Sequence, residues 1–347
     1  LIELPKPSFN QQGVTIHLGD CREILKQLPD ESVNCCVTSP PYWGLRDYGH
    51  DDQIGQEENP ETFVEQMADI FREVRRILSN DGTLWLNLGD SYAGSWGNYG
   101  GQNRGNGTQR EINNGSNAPS AQTGYLPPTA NVKGLKPKNL IGIPWRVAFA
   151  LQADGWNLRQ DIIWHKPNPM PESVQDRCTK SHEYIFLLSK SKTYYFDHEA
   201  IKEPAVCGDN GSQFHTGKTG IHQLNRSQKR PSKKRGEFNG KTEAMETEGR
   251  NAFKAVTDTR NKRSVWSVST KPYKETHFAV YPPELITPCI LAGCPEGGTV
   301  LDPFTGSGTT AAVAKQYGRK FIGCELNPDY LEIAKKRFKQ PMLWGSE

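Results

Sequence analysis

The 347-residue chain is 35% apolar and 23% charged, enough for one large α/β domain with an insertion or for two ordinary domains. No apolar run approaches the roughly 18 residues of a membrane span, and the opening Leu-Ile-Glu-Leu-Pro-Lys-Pro has no basic region followed by an apolar stretch, so a cytoplasmic protein without membrane insertion or secretion is expected. The net charge of +3 conceals an asymmetry: residues 202–263 carry 14 Lys or Arg against 7 Asp or Glu, which makes that segment +7 and the rest of the chain −4.

Eight cysteines could form a disulfide framework, but such frameworks serve small secreted domains that lack a core. Free thiols are expected instead. Cys35 and Cys36 are adjacent, Cys289 and Cys294 are too far apart for a metal-binding pair, and no His pair lies nearby, so no metal site is expected.

In chain order, Val14–Leu18 reads as a short buried strand, followed by Asp20 as the N-cap of a helix over Cys21–Leu28. Val33–Thr38 is the next strand and runs into Ser39-Pro40-Pro41-Tyr42-Trp43. Two prolines there bar helix and central strand and fix two φ angles, which makes a stiff platform at a strand end; a tight structural turn would explain Pro-Pro alone. Thr62–Leu78 has a helical stripe of apolar residues at 63, 67, 70, 71, 74, 77 and 78, beginning just after Pro60, and Thr83–Leu88 follows as a strand. Residues 93–118 are half Gly or Asn, 13 of 26, and residues 93–130 are expected to be a mobile surface loop. A helix over Leu140–Leu151 and strands at Asp161–Trp164 and Tyr184–Leu188 continue the alternation.

Residues 199–263 are polar and punctuated by glycine, which predicts an inserted, loop-rich region dividing residues 1–198 from 264–347. At its centre Arg226, Lys229, Arg230, Lys233, Lys234 and Arg235 lie within ten residues. Such a cluster favours a polyanion through counterion release, and nucleic acid is the natural candidate, although a charge run by itself is more simply a solvated face. Beyond it, Thr299–Leu301 and Phe321–Cys324 read as strands, with helices at Gly308–Tyr317 and Tyr330–Phe338. The βαβα rhythm predicts an α/β fold whose parallel strands are covered by helices on both faces.

Residues 300–311 read Val-Leu-Asp302-Pro-Phe-Thr-Gly306-Ser-Gly308-Thr-Thr-Ala311: a strand, an acid at its carboxyl end, a glycine turn and a helix, the place where doubly wound sheets bind ligands. Glu325 ends the following strand and is placed to accept hydrogen bonds from a ribose diol. The spacing also fits a dinucleotide fingerprint, so a nicotinamide-dependent oxidoreductase is one reading. Asp302 favours a ligand with a cationic amino group, and S-adenosylmethionine has both that ammonium and a ribose. Only about fifty residues follow residue 298, too few to finish a doubly wound sheet. The order of the fold is therefore expected to be circularly permuted, with Val14–Leu18 beside the strand ending at Glu325 and Asp20 positioned to meet the adenine.

Thr38-Ser-Pro-Pro-Tyr-Trp43 and Leu301-Asp-Pro-Phe-Thr-Gly-Ser-Gly-Thr-Thr310, in that order, resemble the catalytic and cofactor motifs of beta-class DNA amino-methyltransferases. The resemblance spans about residues 14–48, 61–92, 139–198 and 264–338. It implies a Rossmann-like seven-stranded mixed sheet with one reversed strand, S-adenosylmethionine as cofactor, double-stranded DNA as substrate, and a target-recognition region at 199–263. A homodimer and a cognate restriction endonuclease are compatible partners. It further implies a cofactor site drawn from Asp20, Thr38, Phe278, Asp302, Phe304, Thr305, Gly306, Ser307, Gly308, Thr309 and Glu325, and a catalytic loop of Ser39, Pro40, Pro41 and Tyr42.

The chemistry suits those residue types. The lone pair of a nucleobase amine is delocalised into the ring; if Ser39 and the Pro40 carbonyl accept its two N–H bonds, the nitrogen can pyramidalise toward the methyl donor. Tyr42 would stack on the base, which must leave the duplex to be reached. In the family, Ser at the first catalytic position accompanies cytosine-N4 modification, and Asp usually accompanies adenine-N6. Ring-carbon methylation would need a cysteine nucleophile, and the one Pro-Cys pair, Pro288-Cys289, lies in an apolar segment that reads as core helix.

Overall fold

The computed structural model describes residues 6–45, 52–94, 129, 132–205, 259–270 and 281–339. The chain divides into two compact units, Leu1–Ile201 with Arg263–Glu347, and Lys202–Lys262.

In the first unit the strands are β1 (Phe9–Gln11), β2 (Val14–Leu18), β3 (Val33–Thr38), β4 (Leu78–Leu88), β5 (Asn157–His165), β6 (His182–Ser189), β9 (Val265–Ser267), β10 (Thr299–Asp302) and β11 (Lys320–Glu325). They form one sheet in the order β1-β2-β11-β10-β3-β4-β6-β5-β9. Its inner seven strands, β2 through β5, contain a single reversed member, β6, antiparallel to both β4 and β5. The expected permutation is present: β11 pairs in parallel with β2, Glu325 opposite Leu18.

The sheet exceeds the expected seven strands because both edges are extended. At one edge β1 turns back on β2 through Gln12 and Gly13, both at positive φ (52° and 80°), the geometry of a two-residue hairpin. At the other, β9 pairs in parallel with β5.

Helices α1 (Cys21–Gln27), α2 (Pro60–Ile77) and α3 (Ile143–Ala153) bury Ile24, Phe63, Phe71, Val74 and Val147 against one face. Helices α4 (Pro283–Gly293), α5 (Thr309–Gln316) and α6 (Pro328–Lys339) pack Leu285, Ile290, Val313 and Leu331 on the other. Cys289 is buried in α4, as its apolar setting predicts. The start of α3 differs from the expected Leu140, because Leu140 bridges to Tyr92 and the helix begins after Gly142, where Asp90 accepts the N–H groups of Gly142 and Ile143. Among the described residues the cysteines are free, and no helix is long and apolar enough to cross a membrane.

In the second unit the described residues include a two-residue antiparallel ladder of β7 (Glu203–Pro204) and β8 (Thr259–Arg260), in which Arg260 Nε donates to Glu203 at 2.9 Å.

Candidate active site

The carboxyl ends of β2, β3, β4, β5, β10 and β11 converge on one cavity of about 910 Å³. Because β6 runs backwards, its first residues, His182 and Glu183, reach the same rim.

On one side lies the glycine turn between β10 and α5. Gly306 and Gly308 have φ of 52° and 78°, the left-handed region that favours glycine, and Gly308 is the N-cap of α5. A Cβ at Gly306 would meet nothing nearer than the Phe304 carbonyl at 3.9 Å, so the loop leaves its backbone open to a ligand. Glu325, 8% exposed, accepts the N–H of Gly306 at 2.7 Å and that of Asn327 at 2.9 Å. Burial nonetheless pushes its carboxyl up to about 7. Arg337 donates to the Thr309 hydroxyl at 2.6 Å and to Ser307, tying the loop to α6. Asp20 caps α1 through the Arg22 N–H and also pairs with the Arg22 guanidinium.

Asp302 closes β10. It is fully buried, and the cavity wall does not include it. Its Oδ1 accepts the Thr38 hydroxyl at 2.6 Å and the Phe304 N–H at 3.0 Å; its Oδ2 accepts the Thr310 hydroxyl at 2.5 Å and the Tyr281 phenol at 3.2 Å. Burial raises its pKa against these four bonds. A carboxylate has about four acceptor positions, and these four bonds occupy them. Asp302 stands behind the wall, where it joins β3, β10 and α5. Thr38 is spent on the same bracket.

At the end of β3, the strand next to β10, stands the Ser39–Tyr42 loop. Trp43, 1% exposed, anchors it in the core and donates its indole N–H to the Glu57 carbonyl at 2.9 Å. The Tyr42 ring lies against Gly89, where an added Cβ would fall 2.4 Å from a ring carbon. Its hydroxyl is 2.8 Å from Glu183 and 3.1 Å from Asn87, and Ser39 Oγ is 3.4 Å away.

The wall thus gathers Ser39, Pro40, Pro41, Tyr42, Asp20, Phe304, Thr305, Gly306, Ser307, Thr309 and Glu325, while Thr38, Asp302 and Gly308 stand behind it. Phe278 and the basic residues Arg226, Lys229, Arg230, Lys233, Lys234 and Arg235 lie outside the described residues, as does most of the loop 93–130.

Sequence reasoning missed Asn87, Asp90, Lys166, Lys180, His182 and Glu183, all on the wall. For three of them the signal was a polar residue one before the end of an apolar strand (Asn87) and two opening another (His182, Glu183). Lys180 donates to the Asp90 carbonyl at 2.8 Å, and burial lowers its pKa.

Comparison with known proteins agrees with this architecture. Residues 33–336 match the family described as DNA methylase. The Type II methyltransferase M.SmaI of Serratia marcescens is 45% identical over 94% of this chain and 91% of its own length. M.Cfr9I of Citrobacter freundii is 44% identical over 94% and 88%. Among solved structures, PvuII DNA methyltransferase (cytosine-N4-specific) superposes with a TM-score of 0.60 at 17% identity, covering 96% of this chain and 89% of that one. A putative DNA modification methylase from Thermus thermophilus, TTHA0409, complexed with S-adenosyl-L-methionine, gives a TM-score of 0.51 at 24% identity over 93% and 92%. The match over most of the chain, together with two relatives well above 30% identity, leaves one conclusion: the chain belongs to the DNA methylase family.

Proposed function

We propose that the chain is a sequence-specific DNA methyltransferase that transfers the methyl group of S-adenosylmethionine to the exocyclic N4 amine of a flipped cytosine, with residues 199–263 reading the target. The carrying observation is that the glycine loop with Glu325 and the Ser39–Tyr42 loop open into the same cavity of about 910 Å³, so a cofactor and a base can meet in it.

The residues present fit the cofactor: a buried carboxylate for the ribose hydroxyls, a glycine backbone with room for close approach, and the N-terminus of α5 for the ligand's carboxylate. When bound, S-adenosylmethionine supplies an electrophilic methyl on a sulfonium. Ser39 Oγ and the Pro40 carbonyl accept the two amine N–H bonds, which turns the nitrogen lone pair out of the ring. Tyr42 stacks on the extruded base and holds it at attack distance. A serine hydroxyl is too weak a base to deprotonate the amine beforehand, so the proton leaves after transfer, when the nitrogen has become strongly acidic.

Ser39 is what favours cytosine-N4 over adenine-N6. Single-molecule sequencing of DNA from cells expressing the protein, with nucleoside mass spectrometry, reports site and modified base together. N4-methylcytosine at a fixed sequence is the expected product, and N6-methyladenine would overturn the assignment of the base. Ser39→Ala and Tyr42→Ala should both sharply reduce turnover with cofactor affinity retained; parent-like activity in both would remove the loop from the reaction.

A further inference from the structure

We propose that Glu183, braced by Lys166, is a positioning residue that fixes the ring of Tyr42 for stacking on the target base. The inference rests on the reading of Ser39–Tyr42 as the base-binding loop. It arises from the direction of β6: Glu183 lies opposite Trp164 of β5, and Ile185, two residues on, lies opposite Asn87 of β4. Residues two apart on a strand share a face. Trp85, Ile185, Leu187, Ile162 and Trp164 make that face apolar toward its middle. At its carboxyl rim the apolar residues give way to Asn87 and Glu183.

The two oxygens of Glu183 have different partners. Oε1 is held by the Lys166 ammonium, which itself lies 4.2 Å from the centroid of the Trp164 ring. Oε2 accepts the Tyr42 hydroxyl at 2.8 Å and, more weakly, the Asn87 amide at 3.4 Å. Asn87 places its Oδ1 3.1 Å from the same hydroxyl and fixes its own amide by donating to the Tyr184 carbonyl at 3.0 Å. The Glu183 and Lys166 side chains are only 15% and 19% exposed, so water competes weakly for these bonds. With Gly89 against Cδ2 and Cε2 and Glu183 at its hydroxyl, the Tyr42 ring is held at two points. An aromatic ring is worth most as a stacking platform when its plane is fixed before the base arrives.

The test compares Glu183→Ala, Glu183→Gln, Tyr42→Phe and the Tyr42→Phe/Glu183→Ala double variant. Single-turnover methyl transfer to saturating duplex is measured alongside calorimetric cofactor affinity and thermal unfolding, with Ser39→Ala as control. If Glu183 acts through the Tyr42 hydroxyl, Tyr42→Phe and Glu183→Ala should each slow transfer by about tenfold. The double variant should be no slower than the slower single, Glu183→Gln should regain most of the rate because its amide oxygen accepts the same bond, and cofactor affinity should not move.

A parent-like rate in Glu183→Ala, effects that multiply in the double variant, or Glu183→Gln as slow as Glu183→Ala would each overturn the proposal. Should Glu183→Ala fail to fold, Tyr42→Phe and Glu183→Gln decide alone: a parent-like Tyr42→Phe overturns it, and a slow Tyr42→Phe with a parent-like Glu183→Gln sustains it. An active Ser39→Ala would instead defeat the reading of the loop, a result distinct from failure at Glu183.

Discussion

Glu325 should make cofactor binding depend on pH in a range where an ordinary carboxylate is silent. Burial lifts its carboxyl from 4.5 to about 7. The folded protein therefore binds more protons there than the unfolded chain, so the contribution of Glu325 to stability is greatest below pH 4.5 and is lost as pH rises to about 7. Above that range the ionised group costs about 3 kcal/mol, part of which a ribose diol donating to it would return. If the cofactor selects the ionised form, its apparent affinity is scaled by the ionised fraction. That fraction implies affinity about 25-fold weaker at pH 5.5 than at pH 7.5, against about a tenth for a carboxyl at its ordinary value. Over this interval the ligand's own ammonium stays largely charged. Calorimetric titration with S-adenosylmethionine at several pH values, in buffers of different ionisation enthalpy, should show a proton released on binding near pH 6. Glu325→Gln should bind roughly ten- to a hundredfold more weakly at pH 7.5, having lost hydrogen bonds to a charged acceptor, and should show no such slope. A flat profile in the parent, or an unchanged slope in Glu325→Gln, would refute the reasoning.

Three other perturbations have defined outcomes. Gly89→Ala places a Cβ 2.4 Å from a Tyr42 ring carbon, so single-turnover transfer should fall by at least about tenfold with cofactor affinity kept; an unaffected rate would show that the ring position is not critical. Asp302→Ala strands the buried donors of Thr38, Thr310, Tyr281 and Phe304 and should cost at least about 3 kcal/mol, with a thermal midpoint lower by about 4 °C or more in scanning calorimetry. An unchanged midpoint would mean that the bracket contributes little. Changing Lys233, Lys234 and Arg235 to Ala should weaken binding to specific and random duplexes alike and flatten the salt dependence by up to about 0.9 log units per lost phosphate contact; a parent-like salt slope would mark these residues as a solvated face.

The parts of the fold that rest on local pattern were legible. Apolar runs marked the inner strands, Asp20 stood where a helix needs a cap, and the short chain after residue 298 forced the permuted order that β2 and β11 display. The two facing loops could be named because each is contiguous in sequence. The direction of β6 was not legible, since an apolar run reads the same for a strand pointing either way, and with it went the placement of His182 and Glu183. Nor could the occupancy of Asp302 be foreseen. Two of its donors, Thr38 and Tyr281, come from residues 264 and 21 positions away, and a carboxylate at a strand end looks free until its neighbours in space are known. The first residues of α3 were misjudged for a related reason: its cap, Asp90, lies 52 residues before Gly142.

The short ladder of β7 and β8 bears on how much the chain between them can vary. Antiparallel pairing of Glu203–Pro204 with Thr259–Arg260, clasped by the Glu203–Arg260 ion pair, fixes the spacing of the two ends of the intervening chain whatever that chain contains. Loop-closure entropy grows only with the logarithm of length, by about 0.6 kcal/mol for each doubling. Lengthening or replacing the segment therefore carries a small thermodynamic penalty, and the strand order that assembles the cavity does not depend on it. If the segment between the two strands reads the target, as proposed, one transplanted between relatives at this clasp should bring its target sequence with it and leave the chemistry of the recipient unchanged.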